Sequence, residues 1–277
     1  MTPPPALVAR LARAGQQHLL AFWDRLDEPA QRAFAAQLEA VNWPLLAEMQ
    51  RLVAGDAHVS ASALDLADAV TPRCLRLGDQ SNPIPPAAAV RRGGEALAAG
   101  TVGAILVAGG QGTRLGCQGP KGLCSVGPVS KASLFEVLFG KFVAVRRRYG
   151  RDVPLAIMTS SATDADTRRF LDEHACCGLA PERVFVFRQD DLPALDAADG
   201  RLLLDGPGHL AVAPDGHGGM LVALSQSGGL DWFGAQGVEH VVSFQVDNPL
   251  AMPLAAEFLG YHLLSAAEFS TQVVRKV

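Results

Sequence analysis

The segment from Ala104 to Gly122 combines the residue types that hold a chain of phosphates. It reads AILVAGGQGTRLGCQGPKG, an apolar run followed by four closely spaced glycines, Gly109, Gly110, Gly112 and Gly116. Glycine lacks a Cβ atom and tolerates positive φ, so successive N–H groups can turn toward one anion. Arg114 adds a planar guanidinium and Lys121 a compact point charge, and both suit phosphate oxygens. This spacing indicates a polyphosphate site.

Two common phosphate-binding patterns are excluded by the same spacing. The P-loop needs a glycine followed by Lys and then Ser or Thr, and no glycine of this loop meets that requirement. The dinucleotide pattern G-x-G-x-x-G fails because Leu115 stands at the sixth position counted from Gly110. The alternative is an ordinary glycine-rich turn with Arg114 and Lys121 solvated, but such a turn rarely gathers these features behind a buried strand.

Alternating strands and helices predict the fold that carries this loop. Apolar runs predict strands over 104–108, 153–159, 183–188 and 240–246. Helices are expected over about 133–149, 163–174 and 254–264, the first opened by a capping-box pattern of Ser133 and Glu136. The turn at Asp199–Gly200 joins two short strands, and 270–277 is strand-like. We therefore predict an α/β fold with a mostly parallel sheet over residues 96–277.

The first part of the chain carries no recognisable chemistry. Residues 1–70 show apolar positions at helical spacing, and the proline-rich stretch at 83–86 predicts an extended connection over 71–100. We interpret residues 1–95 as a helical appendage with a linker, packed on the main domain.

Three candidate functional segments each follow a predicted strand, and in parallel sheets ligands bind beyond the carboxyl ends of strands. The glycine loop, Gln189 and Asp247 are therefore expected to converge on one cleft. A carboxylate at Asp247 suits Mg²⁺, but an Asp that caps the turn at Asn248 is an equal alternative. Gln189 offers the donor and acceptor that the edge of a pyrimidine base requires, although from the sequence alone a surface glutamine is the better interpretation.

Composition narrows the classes of function. The 277 residues are 49% hydrophobic and 19% charged, with a net charge of −4. This balance favours a sizeable core and gives no support to nucleic-acid or membrane-surface binding. No apolar run approaches the roughly 18 residues of a membrane span, and the N-terminus lacks the uninterrupted apolar core of a signal peptide, so we expect a cytoplasmic location.

The five cysteines show no metal-ligand spacing, and we expect free thiols in a reducing compartment. Cys117 and Cys124 flank the glycine loop, where they are either oxidation-sensitive or, more commonly, small buried residues.

Four ordered motifs resemble one enzyme family. They are GGQGTRLG from Gly109 with Pro120-Lys121-Gly122, Gln189 with Leu192-Pro193, Ala213 to Gly219 (APDGHGG), and Val246-Asp247-Asn248. Together they resemble the UDP-sugar pyrophosphorylases, uridylyltransferases that make UDP-N-acetylglucosamine or UDP-glucose from UTP and a sugar 1-phosphate. The resemblance runs from about residue 100 to the end, and it implies a Rossmann-like nucleotidyltransferase fold.

The resemblance also implies a role for each site residue. Arg114 and the loop amides would hold the β- and γ-phosphates of UTP, Lys121 would reach the α-phosphate, and Asp247 would hold Mg²⁺. The uridine would be bound by the backbone and side chains of Ala108, Gly109, Gly110, Gln189 and Gly216. His217 would contact the sugar or its phosphate.

Two departures from the family limit what is expected. His217 replaces the asparagine of N-acetylglucosamine-specific members, which leaves the choice of sugar open. Family members also continue well past residue 277, so we expect this chain to hold the nucleotide-binding half and to be incomplete at its C-terminus. The alternative to a uridylyltransferase is accordingly a UTP-binding module with little or no turnover.

Overall fold

The structure, a computed structural model, describes residues 2–55, 70 and 74–274. The chain divides into two compact units. One comprises Met1–Pro72 and Asp191–Ala213, and the other comprises Arg73–Asp190 and Pro214–Val277.

Four parallel strands form the sheet of the larger unit. In chain order the strands of the molecule are β1 (Val102–Val107), β2 (Leu155–Thr159), β3 (Val184–Arg188), β4 (Asp191–Pro193), β5 (Leu204–Gly206), β6 (His209–Leu210), β7 (Val212–Pro214) and β8 (His240–Gln245). The sheet has the order β3-β2-β1-β8, and every pairing within it is parallel. The predicted mostly parallel α/β sheet is confirmed, and β4 pairs with β7 and β5 with β6 outside it.

The helices precede and alternate with these strands. They are α1 (Pro5–Arg13), α2 (Glu28–Ala40), α3 (Trp43–Val53), α4 (Pro86–Ala99), α5 (Leu134–Tyr149), α6 (Asp164–Glu173), α7 (Met220–Gln226), α8 (Gly229–Ala235) and α9 (Ala256–Leu264). The capping box predicted for α5 is present, since Ser133 and Glu136 exchange hydrogen bonds at its N-terminus.

Three sequence-based expectations need correction. The extended connection predicted over 71–100 is wrong from Pro86 onward, where α4 begins with proline at its first turn, a position that does not need the missing N–H. The predicted boundary between residues 95 and 96 therefore falls inside a helix. The tail has no strand over 271–274, and 275–277 lie outside the described residues. Helices α7 and α8 were not predicted.

The core of the larger unit lies on both faces of β1 and β2, whose residues are all buried. Side chains alternate between the two faces of a strand. Ala104 and Leu106 pack with the phenylalanines of α5, whereas Ile105 and Val107 pack with Phe233 of α8 and its neighbours. Burial on both faces explains why these strands read as continuous apolar runs.

Helices α4 and α9 pack with their backbones in close contact. A Cβ atom on Gly93 would lie 1.9 Å from the carbonyl oxygen of Ala256, and one on Gly260 would lie 1.8 Å from that of Ala89. No side chain larger than hydrogen fits at either position, so these two glycines set the helix spacing.

The smaller unit joins the N-terminal helices to a segment far along the chain. Its core contains Trp23, Phe34 and Leu38 together with Leu202 and Leu210. The backbone N–H of Leu202 donates to the side-chain oxygen Oε1 of the buried Gln16 at 2.9 Å. The predicted N-terminal helices are confirmed where the structure describes them, and the helical interpretation of 56–69, which includes His58, lies outside the described residues.

Candidate functional site

A cavity of about 200 Å³ opens at the carboxyl ends of β1, β2, β3 and β8. The residues that line it are Val107, Gly109, Gly110, Lys121, Met158, Gln189, Pro214, Gly216, His217, Gln245, Val246 and Asp247. Seven of the nine predicted site residues are among them, so the structure brings these segments together as the strand-end rule predicts.

The other two predicted residues do not line the cavity. Ala108 is fully buried at the end of β1, directly before the glycines. Arg114 lies in a short 3-10 turn, Thr113–Leu115, where its residue is exposed. The contact of Arg114 with the phosphates of UTP therefore stays a prediction.

Two backbone hydrogen bonds close the glycine loop at its base. The N–H of Gly112 donates to the carbonyl of Gly119 at 2.7 Å, and that of Lys121 donates to the carbonyl of Gly110 at 3.0 Å. The Lys121 stem lies against Gly110, because a Cβ atom added to this glycine would be 3.4 Å from Lys121 Cδ. The loop thus places an ammonium group beside the backbone that leaves β1.

Gln189 lies against the first glycine of the loop. Its residue is only 4% exposed, and its backbone N–H donates to the carbonyl of Thr159 at 2.9 Å. A Cβ atom on Gly109 would lie 2.7 Å from Gln189 Nε2, so only glycine allows this approach. Gln189 Oε1 is buried and has no hydrogen-bond partner among the described residues. A buried acceptor without a partner is costly, and a ligand that donates to it would remove that cost.

Ser160 fixes the position of Gly109 and was missed in the sequence. Its hydroxyl donates to the carbonyl of Gly109 at 2.7 Å, and Ser160 is fully buried. It follows the end of β2, so the strand-end rule that selected Gln189 and Asp247 would have selected it too.

Asp164 accepts hydrogen bonds at the carboxyl end of β2, next to Ser160. It accepts from the hydroxyl of Thr159 at 2.6 Å and from Arg168 at 2.8 Å. Burial acts to raise the pKa of Asp164, but the hydrogen bonds from Arg168 and Thr159 outweigh it and hold that pKa below its ordinary value.

Lys121 and Asp247 form an ion pair at the mouth of the cavity. The distance from Lys121 Nζ to Asp247 Oδ2 is 2.9 Å, and the two side chains are 22% and 40% exposed. A partly solvated ion pair of this kind stabilises the folded protein by roughly 0–1 kcal/mol. Little free energy is therefore lost when Lys121 and Asp247 bind other charged groups instead of each other.

Lys141 of α5 holds the turn that follows Asp247. Its ammonium group donates to the carbonyl oxygens of Pro249 at 2.5 Å and Ala251 at 2.6 Å. Burial lowers the pKa of Lys141. These bonds fasten the segment that carries Asp247 to the helix that follows the glycine loop.

Gly216 and His217 enter the cavity from a 3-10 turn, Gly216–Gly219. Gly216 has a φ of +76°, a left-handed conformation that favours glycine. The N–H of Asp215 donates to the carbonyl of Asp190 at 3.1 Å, which brings this turn beside the segment of Gln189. The His217 residue is exposed.

The expectation of free thiols is wrong for two of the cysteines. Cys117 and Cys124 form a disulfide with their Cα atoms 5.9 Å apart. Cys176 and Cys177 keep their thiols. Among the residues that the structure describes, no three His, Cys, Asp or Glu side chains group as metal ligands, and no helix is long and apolar enough to span a membrane.

The chain matches one family model and several known proteins. The family model described as UTP–glucose-1-phosphate uridylyltransferase matches residues 92–277. The chain is 30% identical to UDP-N-acetylglucosamine diphosphorylase 2 of Arabidopsis thaliana, over 99% of this chain and 56% of the relative. It is 34% identical to UDP-N-acetylhexosamine pyrophosphorylase-like protein 1 of Xenopus tropicalis, over 96% of this chain and 54% of the relative.

A solved structure shows the same relationship. The UDP-N-acetylglucosamine pyrophosphorylase of Trypanosoma brucei matches 96% of this chain and 56% of its own, with a TM-score of 0.73 and 26% identity. The chain spans about half the length of the relatives it matches. Because the family model covers well over half of the chain, the protein belongs to the UTP–glucose-1-phosphate uridylyltransferase family, which the resemblance of its motifs had predicted.

Proposed function

We propose that this chain carries the UTP site of a uridylyltransferase that transfers UMP to a sugar 1-phosphate, releasing pyrophosphate. The observation that carries the proposal is the buried side chain of Gln189, next to the glycine loop and Lys121, whose acceptor oxygen has no partner within the described part of the chain. A base and a phosphate chain can be held within one cavity by these groups.

Gln189 offers the donor and the acceptor that the edge of uracil requires. The uracil ring carries an N3–H donor between two carbonyl acceptors, whereas cytosine has an acceptor at N3. Gln189 Oε1 would accept from N3–H while Nε2 donates to a neighbouring carbonyl. Gly109 allows the amide to lie against the backbone, and Ser160 holds that backbone in place.

In this proposal Lys121 acts on the reacting phosphate. An oxygen of the sugar phosphate attacks the α-phosphorus of UTP, the bond from that phosphorus to the bridging oxygen breaks, and pyrophosphate leaves. Negative charge spreads over the oxygens in the transition state, where a nearby cation lowers the barrier most. We propose that Lys121 leaves Asp247 when the nucleotide binds, and that Arg114 contacts the departing phosphates after the loop tip moves.

Asp247 fits a Mg²⁺ ion held chiefly by phosphates. Mg²⁺ often uses only one or two carboxylates and takes its other ligands from phosphates and water. Asp247 is a single carboxylate, partly exposed, at the mouth of the cavity. A bound Mg²⁺ would neutralise charge on the phosphate oxygens. Asp247 would hold this ion once its ion pair with Lys121 is broken.

The acceptor is a sugar 1-phosphate, with N-acetylglucosamine 1-phosphate and glucose 1-phosphate as the two candidates. The names of the Arabidopsis and Xenopus relatives favour an N-acetylated sugar. His217 is exposed at the cavity and is proposed to bond to the sugar or its phosphate. The cytoplasmic location stays a prediction.

The proposal is tested by pyrophosphate release. The chain is incubated with UTP and Mg²⁺ and with each sugar 1-phosphate in turn, and UTP binding is measured by calorimetry on the same sample. Release that depends on a sugar 1-phosphate supports the uridylyltransferase. Binding of UTP without release favours the binding module, and failure to bind UTP contradicts both.

A further inference from the structure

The glycine loop carries a cysteine pair that the proposed reaction does not use. Cys117 lies just after the tip that bears Arg114, and Cys124 follows the 3-10 turn Lys121–Leu123. The N–H of Cys117 donates to the carbonyl of Gly112 at 3.3 Å, and that of Cys124 donates to the carbonyl of Lys121 at 3.0 Å. The pair therefore connects the tip of the loop to the segment just past Lys121.

Cys117 and Cys124 lie within disulfide distance of each other. The Cα atoms are 5.9 Å apart, within the range of about 4.4–6.8 Å that disulfides require. A Cβ atom on Gly112 would lie 2.2 Å from the sulfur of Cys117 and 2.5 Å from that of Cys124. Gly112 thus leaves the space that both sulfur atoms occupy.

Thiol–disulfide exchange needs one sulfur that a small disulfide can reach, and the two cysteines differ in solvent accessibility. Cys124 is 4% exposed, whereas Cys117 is partly exposed at the loop. Cys176 and Cys177 are different, since burial raises the pKa of both thiols, that of Cys177 to about 11. Such thiols are largely protonated near neutral pH and react slowly. Cys117 is the better entry point for an oxidant.

We propose that Cys117 and Cys124 form a reversible disulfide that weakens UTP binding by restraining the tip of the glycine loop. The inference rests on the proposed function. Arg114 does not line the cavity in the structure. In our proposal the tip of the loop moves so that Arg114 can contact the phosphates. A covalent link from Cys117 to the buried Cys124 opposes that movement, and reduction permits it.

The oxidant is a low-molecular-weight disulfide such as glutathione disulfide. The thiolate of Cys117 attacks one of its sulfurs and expels one glutathione thiolate. The thiolate of Cys124 then attacks the sulfur of Cys117 in the mixed disulfide and expels the second. Two protein thiols are oxidised, one small disulfide is reduced to two thiols, and the two protons pass to the released thiolates.

Calorimetry of UTP binding tests the inference. The chain is oxidised with glutathione disulfide or reduced with dithiothreitol, and mass spectrometry of peptides verifies the bond. We expect UTP to bind about fivefold or more tightly to the reduced form, the lower end of typical coupling between sites. Cys117→Ser should bind like the reduced form under both treatments, whereas Cys177→Ser should respond like the unaltered chain.

The same coupling gives a second measurement that does not use activity. By linkage, saturating UTP must shift the equilibrium between dithiol and disulfide in a glutathione buffer toward the dithiol by the same factor. Equal UTP affinity of the two forms, or no disulfide between Cys117 and Cys124 after oxidation, would overturn the inference. If the disulfide forms but neither form binds UTP, the proposed function fails as well.

Discussion

Lys121 and Asp247 both line the cavity, and their side chains form an ion pair with each other. Their ion pair measures 2.9 Å and is partly solvated. In the proposed function, Lys121 would pair with a phosphate and Asp247 would hold Mg²⁺ in place of this ion pair. At the scale of residues, the proposed chemistry depends on the charge of Lys121 and on the hydrogen bonds of Gln189.

Lys121→Ala should lower turnover much more than UTP affinity. The charge that Lys121 offsets grows as the transition state forms, so its removal acts mainly on kcat. We expect a loss of about 100-fold or more in kcat against a few-fold change in the Kd of UTP. Steady-state kinetics and calorimetry measure both, with Lys131→Ala as a control at an exposed position. Equal losses in both quantities would show that Lys121 only holds the ground state.

Gly109→Ala should weaken UTP binding through the displacement of Gln189. The added Cβ atom would lie 2.7 Å from Gln189 Nε2, so the amide must move away from its place in the cavity. We expect about a tenfold rise in the Kd of UTP, the effect of roughly 1.4 kcal/mol in lost hydrogen bonding.

Gly140→Ala is the matched control for that variant. Gly140 lies within α5, and a Cβ atom there meets no atom of the described residues within 4 Å. This change should leave UTP binding unaltered and add about 0.5–1 kcal/mol of stability. Unchanged binding in Gly109→Ala would remove the proposed contact between the base and Gln189.

At the scale of elements, the start of α5 fixes the segment between the glycine loop and the sheet. Ser133 and Glu136 form the capping box, and the backbone of Leu134 also donates to the carbonyl of Cys124 at 3.0 Å. The cap therefore stabilises the helix and the far end of the loop segment together.

Glu136 gives this cap a pH dependence. Hydrogen bonds from the backbone N–H and then the hydroxyl of Ser133 lower the pKa of Glu136 from 4.5. The folded pKa lies below the unfolded one, so the stabilisation is complete above pH 4.5 and is lost as pH falls through the lowered value.

Glu136→Gln provides the comparison in urea unfolding at several pH values. The unaltered chain should be more stable by up to about 1 kcal/mol at pH 7, with the difference shrinking below pH 4.5. A difference that is constant down to pH 3 would contradict this account of the cap.

Elements were predicted from the sequence where local signals agree with the tertiary packing. The strands and the capping box of α5 were found because burial and capping leave regular patterns. Helices α7 and α8 were missed because glycines surround them and interrupt the periodic pattern. The pairing of Cys117 with Cys124 depends on the path of the loop, which spacing alone does not determine. The positions of Gln189 and Asp247 followed from the strand-end rule, whereas their roles depended on the family resemblance.

At the scale of the whole molecule, the chain passes from the larger unit to the smaller one and back again between two residues of the candidate site. Gln189 precedes the excursion Asp191–Ala213, and Gly216 follows it. Leu202 and Leu210 of this excursion share a core with the N-terminal helices. The predicted appendage is therefore not an independent addition, because part of the later chain is built into it.

Removal of residues 2–55 should expose that excursion. Leu202 and Leu210, now 1% and 7% exposed, would lose most of the apolar side chains that cover them. We expect rapid cleavage within 191–213 in limited proteolysis, at a protease concentration that leaves the full chain intact. Equal resistance of the shortened chain would show that the excursion folds without the helices.

The central claim is that Gln189 reads the uracil of UTP in the cavity at the end of the sheet. Calorimetry of UTP and CTP binding to the chain, to Gln189→Met and to Gln226→Met tests it most directly. Gln226 ends α7 and does not line the cavity. We predict that the chain and Gln226→Met prefer UTP by about tenfold or more, and that Gln189→Met loses this preference. An unaltered preference in Gln189→Met would contradict the claim.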